Sequence, residues 1–118
     1  MTTTAASDRT HRTPYRVREA REGAPAAVFV HGWMVSGRVF DALVDALPEA
    51  RAIIPDLRIA TTSVSAAAPS TSLDELATDV LGVADDAGAE RFDLVGHSMG
   101  GQIAALAAAA APSRVRSL

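Results

Sequence analysis

The sequence predicts an α/β fold, a parallel sheet with helices on both faces. Short continuous apolar runs recur along the 118 residues, at Ala26 to Val30 and Ala52 to Ile54, and a third strand signal, Phe92-Asp-Leu-Val95, enters Gly96. Unbroken apolarity is the pattern of strands buried on both faces. Between these runs lie segments with apolar residues three and four apart, the spacing of amphipathic helices. Alternation of the two kinds gives βαβ units, whose strands must be parallel.

Each element has its own signal. Pro14 to Ala20 alternates weakly and reads as an edge strand, and Arg21 to Pro25 as a turn punctuated by Gly23 and Pro25. Ala26 to Val30 is the first buried strand and stops at His31-Gly32. Ser36 offers an N-cap to a helix with the stripe Val39, Phe40, Leu43, Val44 and Leu47, which Pro48 ends. Ala52 to Ile54 is the second buried strand and leads into Pro55-Asp56-Leu57-Arg58. Ile59 to Thr71, rich in Ser, Thr and Ala, reads as a loop. Ser72 and Glu75 fit a capping box, and Leu73, Leu76, Ala77, Val80, Val83, Ala84 and Ala87 form the stripe of the helix that follows. Gly88 stands where a C′ glycine belongs. Phe92 to Val95 is the third buried strand, Met99 to Ala111 an alanine-rich helix stopped by Pro112, and Ser113 to Leu118 the first half of another strand.

Composition removes whole classes of chemistry. The chain has no cysteine, which excludes disulfides, thiolate metal sites and cysteine nucleophiles. All eleven basic residues are arginine, so Schiff-base and Ser-Lys chemistry are excluded. A formal charge of −3 gives no electrostatic reason to bind nucleic acid or an anionic membrane. No apolar stretch approaches the roughly 18 residues of a membrane span, and Met1 to Thr13 lacks an apolar signal region. The expectation is a cytoplasmic protein with a disordered tail over 1–13 and one folded unit over 14–118. No phosphate-binding glycine loop and no histidine pair at metal-ligand spacing occurs, so neither cofactor nor metal is expected. The carboxylates are scattered over helix faces and read as solvated surface.

The chemistry-bearing residues cluster at two strand ends. Gly96-His97-Ser98-Met99-Gly100 fits G-x-S-x-G, entered by a buried strand and left by a helix, which is the setting that motif requires. A strand that turns into a helix within a few residues strains the serine backbone and exposes its hydroxyl. Side chains at Gly96 and Gly100 would collide with neighbouring backbone. The free N–H groups of the following helix point to where an oxyanion would develop. His31-Gly32-Trp33 closes the first buried strand. Gly32 lets that loop approach the serine turn, and the Trp33 N–H faces the same oxyanion as a second donor.

These motifs in this order resemble the N-terminal half of the α/β-hydrolase fold. The chain is most similar to bacterial serine esterases and cofactor-free haloperoxidases carrying H-G-W and G-x-S-x-G-G, over roughly Ala24 to Leu118. The resemblance implies that Ser98 is the nucleophile and that the Trp33 and Met99 N–H groups form the oxyanion hole. It implies that His31 holds the oxyanion loop and that His97 packs beside the elbow, neither serving as base. It implies a small-molecule ester or acyl substrate, with no partner protein.

Two departures qualify the match. The family follows Asp-x-Arg with glycines in a tight loop, where this chain has Ile59-Ala60-Thr61-Thr62. The family's triad runs Ser, acid, His, yet no Asp, Glu or His follows Ser98. The expectation is therefore a fold truncated after the elbow helix, with its triad acid and base absent. The alternatives are an inactive fragment, or a perhydrolase or acyltransferase of the same fold. Serine rather than aspartate at the elbow argues against dehalogenase and epoxide hydrolase chemistry.

Overall fold

The computed structural model describes residues 12–60 and 71–118. The expected tail over 1–13 and loop over 59–71 lie largely outside them. A five-stranded sheet runs in the order β1-β3-β2-β4-β5, where β1 is Tyr15–Arg18, β2 Ala26–Val30, β3 Arg51–Pro55, β4 Phe92–Gly96 and β5 Val115–Ser117. β2, β3, β4 and β5 are mutually parallel, and β1 is an antiparallel edge strand on β3. The turn before β2 uses Gly23 at φ +80, a conformation open to glycine at little cost.

Period-two alternation divides the sheet's side chains between two cores. Val28 and Val30 of β2, with Ile53, Phe92 and Leu94, pack under α2 (Leu73–Asp86) and α3 (Met99–Ala110). Ala27 and Phe29, with Ala52 and Ile54, face the other way onto Phe40 and Val44. The Phe29 and Phe40 rings lie 5.3 Å apart at a tilt of 56°, within the favourable range for aromatic pairs.

α2 starts and stops as its sequence dictates. The Ser72 hydroxyl accepts the Glu75 N–H at 3.1 Å, and the Glu75 carboxylate accepts the Ser72 N–H at 2.9 Å. At the other end Gly88 takes φ +77. Its N–H reaches the Asp85 carbonyl, and Ala89 N–H reaches that of Ala84, the paired bonds of a Schellman cap.

Two expectations need correction. The helix expected from Ser36 to Leu47 is a 3₁₀ turn, Gly37–Phe40, followed by a short α1, Asp41–Asp45. With three residues per turn, Gly37 and Phe40 stack on the core side, and Val44 follows at α spacing. Val39, Leu43 and Leu47 are exposed instead of lining the stripe. The carboxylates are not all solvated either. Asp79 is buried in the α2 stripe, where Arg58 meets it with two bonds of 2.8 and 2.9 Å.

Candidate active site

The register of the central strands brings the two motifs together. Val30 pairs with Gly96, and the His97 N–H donates to the Val30 carbonyl at 3.1 Å. The segments leaving β2 and β4 therefore emerge side by side at the carboxyl ends of adjacent parallel strands, where α/β sheets bind ligands.

Ser98 sits between β4 and α3 with φ 58 and ψ −128. Both angles lie outside the regions open to an L-residue at low cost, a strain of order 1–3 kcal/mol. Ser98 is exposed. Bonds from Gly100 N–H to the His97 carbonyl (2.9 Å) and from Gly101 N–H to the Ser98 carbonyl (2.8 Å) close the turn. The flanking glycines are sterically required. A Cβ on Gly96 would stand 2.6 Å from the Gly100 carbonyl oxygen, and one on Gly100 would overlap the Val30 carbonyl.

Gly32 lies against this turn. A Cβ there would be 3.3 Å from Ser98 Cβ and 3.6 Å from Met99 N. Among the described residues no backbone carbonyl accepts the Trp33 or the Met99 N–H. Trp33 is 60% exposed. Met34 takes φ 60, a second strained residue, and its N–H donates to the Ile59 carbonyl at 3.2 Å. Nothing in Trp33-Met34-Val35 signals that conformation, since glycine or asparagine would be its usual mark.

His31 is fully buried with both ring nitrogens engaged. Nε2 accepts the Leu57 N–H at 2.9 Å, which leaves the proton on Nδ1 to donate to the Gly32 carbonyl at 2.8 Å. Burial pushes its pKa below the ordinary value, outweighing the bond to Gly32 and the nearby Asp56 charge. Asp56 accepts the Gly37 N–H at 2.7 Å and shapes the loop there. The Arg58 guanidinium turns to Asp79. The loop manages its missing glycines through a turn, Ala60 N–H to the Leu57 carbonyl at 2.8 Å. Its described residues use no positive φ.

Ser98, Met99, Gly96, Gly100 and Gly32 are thus neighbours, Trp33 follows Gly32 in the chain, and the His31 ring holds the Gly32 carbonyl. His97 is exposed rather than packed beside the elbow, and His11 lies outside the described residues. Among the described residues no group of three or more His, Asp or Glu side chains could hold a metal ion, and no helix is long and apolar enough to cross a membrane. A hollow of about 290 Å³ lined by Ala26, Arg51, Phe92 and Arg116 lies at the opposite ends of the strands and has no part in this geometry.

A strained, exposed serine between a parallel strand and a helix, with a glycine loop against it, is the strand–turn–helix setting of the G-x-S-x-G motif. Residues 25–118 match the family of the alpha/beta hydrolase fold, and the chain belongs to that family. It is 35% identical over 112 residues to the dihydrolipoyllysine-residue acetyltransferase component of the acetoin cleaving system of Cupriavidus necator, covering 87% of this chain and 28% of that protein. Among solved structures, a hypothetical protein of Pseudomonas aeruginosa PAO1 superposes with a TM-score of 0.70 at 33% identity, over 87% of this chain and 36% of that one. Epoxide hydrolase A of Mycobacterium thermoresistibile superposes with a TM-score of 0.72 at 26% identity, over 87% and 34%. The chain thus spans about a third of the length of these relatives.

Proposed function

We propose that this chain carries the nucleophile and the oxyanion donors of a serine-dependent hydrolase acting on carboxylic esters or related acyl compounds. The observation that carries the reading is the exposed Ser98 at φ 58 beside Gly32, with no backbone carbonyl among the described residues accepting the Met99 N–H or the N–H of Trp33, the residue after Gly32. Ser98 Oγ attacks the ester carbonyl carbon as its proton passes to a base. The carbonyl oxygen becomes an oxyanion held by the Trp33 and Met99 N–H groups. The tetrahedral intermediate collapses, the bond to the leaving alcohol breaks, and the alcohol takes up the proton. Water then releases the acid from the acyl-enzyme by the same route. His31 cannot be the base, because Nε2 already accepts from Leu57. No Asp, Glu or His follows Ser98 within these residues, and the chain spans about a third of its relatives' length. A serine hydroxyl in place of a carboxylate nucleophile favours acyl chemistry over epoxide opening.

Transfer of the acyl group to an alcohol, thiol or peroxide instead of water is the second reading. The acetyltransferase name of the Cupriavidus necator relative favours it. Only the acceptor differs, and Ser98 keeps its role.

Supplying a base from solution tests both. The chain is incubated with p-nitrophenyl acetate, with and without imidazole, beside its Ser98→Ala variant. The expected result is an acetyl adduct on Ser98 by peptide mass spectrometry that depends on imidazole, and no Ser98-dependent turnover without it. A folded chain that acquires no adduct on Ser98 under either condition overturns the proposal. Added thiol or alcohol acceptors then separate hydrolysis from transfer.

A further inference from the structure

We infer that Asp79, on α2 and remote in sequence from both motifs, is a positioning residue for the oxyanion loop, acting through Arg58. Its carboxylate is almost wholly enclosed, with a side-chain exposure of 2%. Burying a carboxylate is costly unless it is paired and hydrogen-bonded. The Arg58 guanidinium meets it with Nε to Oδ2 at 2.8 Å and Nη2 to Oδ1 at 2.9 Å. A planar fork engaged at both prongs fixes direction as well as distance.

The backbone of Arg58 lies between the two points where its loop supports the oxyanion strand end. One residue before it, the Leu57 N–H holds His31, whose Nδ1–H holds the Gly32 carbonyl. One residue after it, the Ile59 carbonyl accepts the Met34 N–H. The Trp33 N–H is flanked by these two anchored residues, Gly32 and Met34. Met34 at φ 60 does not hold itself in place. A strained residue persists only where its surroundings over-determine it, and the bond to Ile59 is one such constraint. The chain of contacts runs from Asp79 to Arg58, to Leu57 and Ile59, to His31 and Met34, and so to the donor between them.

The proposal rests on the acyl reading only for its catalytic readout, so it is tested twice, once without chemistry. Asp79→Asn and Arg58→Lys are made in the 118-residue chain. Arg58→Lys keeps the charge and removes the fork, so it serves if Asp79→Asn fails to fold. Hydrogen exchange at the Met34 and Leu57 amides is expected to quicken roughly tenfold or more, the scale of losing a charge-assisted bond. Amides of β2 and β4 are expected to keep their protection. Trp33 is the sole tryptophan, so its emission gives an independent report on the same loop. In the imidazole-supported assay the maximal rate of Ser98 acetylation falls about tenfold at unchanged half-saturating ester, because the oxyanion exists only in the transition state. Unchanged Met34 and Leu57 exchange in both variants overturns the proposal, as does exchange that quickens equally throughout the sheet. If unsubstituted chain never acetylates Ser98, the acyl reading fails alone, and the exchange result still decides the role of Asp79.

Discussion

The Leu57 amide donates to Nε2 of His31 at 2.9 Å, so the loop after β3 hangs on a neutral imidazole at the end of β2. A protonated ring has no lone pair to accept that bond. Burial keeps the folded-state pKa of His31 below its ordinary 6.5. The unfolded chain therefore binds this proton first as pH falls. Stability from His31 is full above about pH 6.5 and is lost as pH drops from there through the lower folded value. Urea denaturation at a series of pH values is expected to show this decline. His31→Asn is expected to lower stability at pH 7.5 and flatten the decline below about pH 6.5. Asp93, whose pKa is lowered first by its bond from Arg116 and also by Ser117, loses its contribution in a separate, more acidic window below its ordinary 3.8.

The glycines offer a paired test of the elbow. Gly82 lies within α2 with nothing within 4 Å of a Cβ built on it. Gly82→Ala is expected to raise stability by about 0.5–1 kcal/mol, since alanine loses less backbone entropy in a helix. Gly100→Ala would drive its methyl into the Val30 and His31 carbonyls. Its cost is expected to exceed about 3 kcal/mol, in the range reserved for severe core disruption. Thermal unfolding of the two variants beside the parent checks both signs.

Strain at Ser98 predicts an order among its substitutions. Its φ of 58 with ψ of −128 is open to glycine and costly for any side chain. Ser98→Gly is expected to be more stable than Ser98→Ala by about 1 kcal/mol, although both abolish acetylation of Ser98. Equal melting temperatures for the two would mean that the turn relaxes without a serine.

The outer face of the 3₁₀ turn and α1 predicts behaviour in solution. Val39, Leu43 and Leu47 are exposed there, and contiguous apolar surface promotes association. The chain is expected to bind a hydrophobic dye and to elute earlier at higher concentration. Leu43→Glu is expected to reduce both, which gel filtration and dye titration would measure.

What the sequence disclosed follows physical lines. β2 and β3 were legible because a strand buried on both faces must be apolar throughout, whereas β4 carries Asp93 and was legible from Phe92, Leu94 and Val95 leading into Gly96. The elbow was legible because its sterics demand glycine at 96 and 100, and few other arrangements place glycines around a serine after such a strand. The register of the 3₁₀ turn was hidden, because Val39, Leu43 and Leu47 satisfy a helical period equally well on paper. Asp79 was hidden because a charge inside an apolar stripe reads as an interruption. Its signal was positional: three residues after Leu76 and four before Val83, it shares their side of α2. Met34 had no signal at all, since its bond to the Ile59 carbonyl joins it to a residue remote in sequence.

The buried side of α3 consists of Gly100, Ile103, Ala104 and Ala107. Most cores are injured by subtraction, whereas this one has almost nothing left to subtract. Only Ile103 has side-chain bulk to lose, so the hazard at Ala104 and Ala107 is enlargement, at about 1–3 kcal/mol for each overpacked site. The injury would also travel. Ala104 stands six residues beyond Ser98, about 9 Å along the axis at the rise of an α-helix, and a helix pushed off its sheet moves as a rod. A methyl group too many near the middle of α3 would reach the serine as a displacement of the whole lever on which it is mounted.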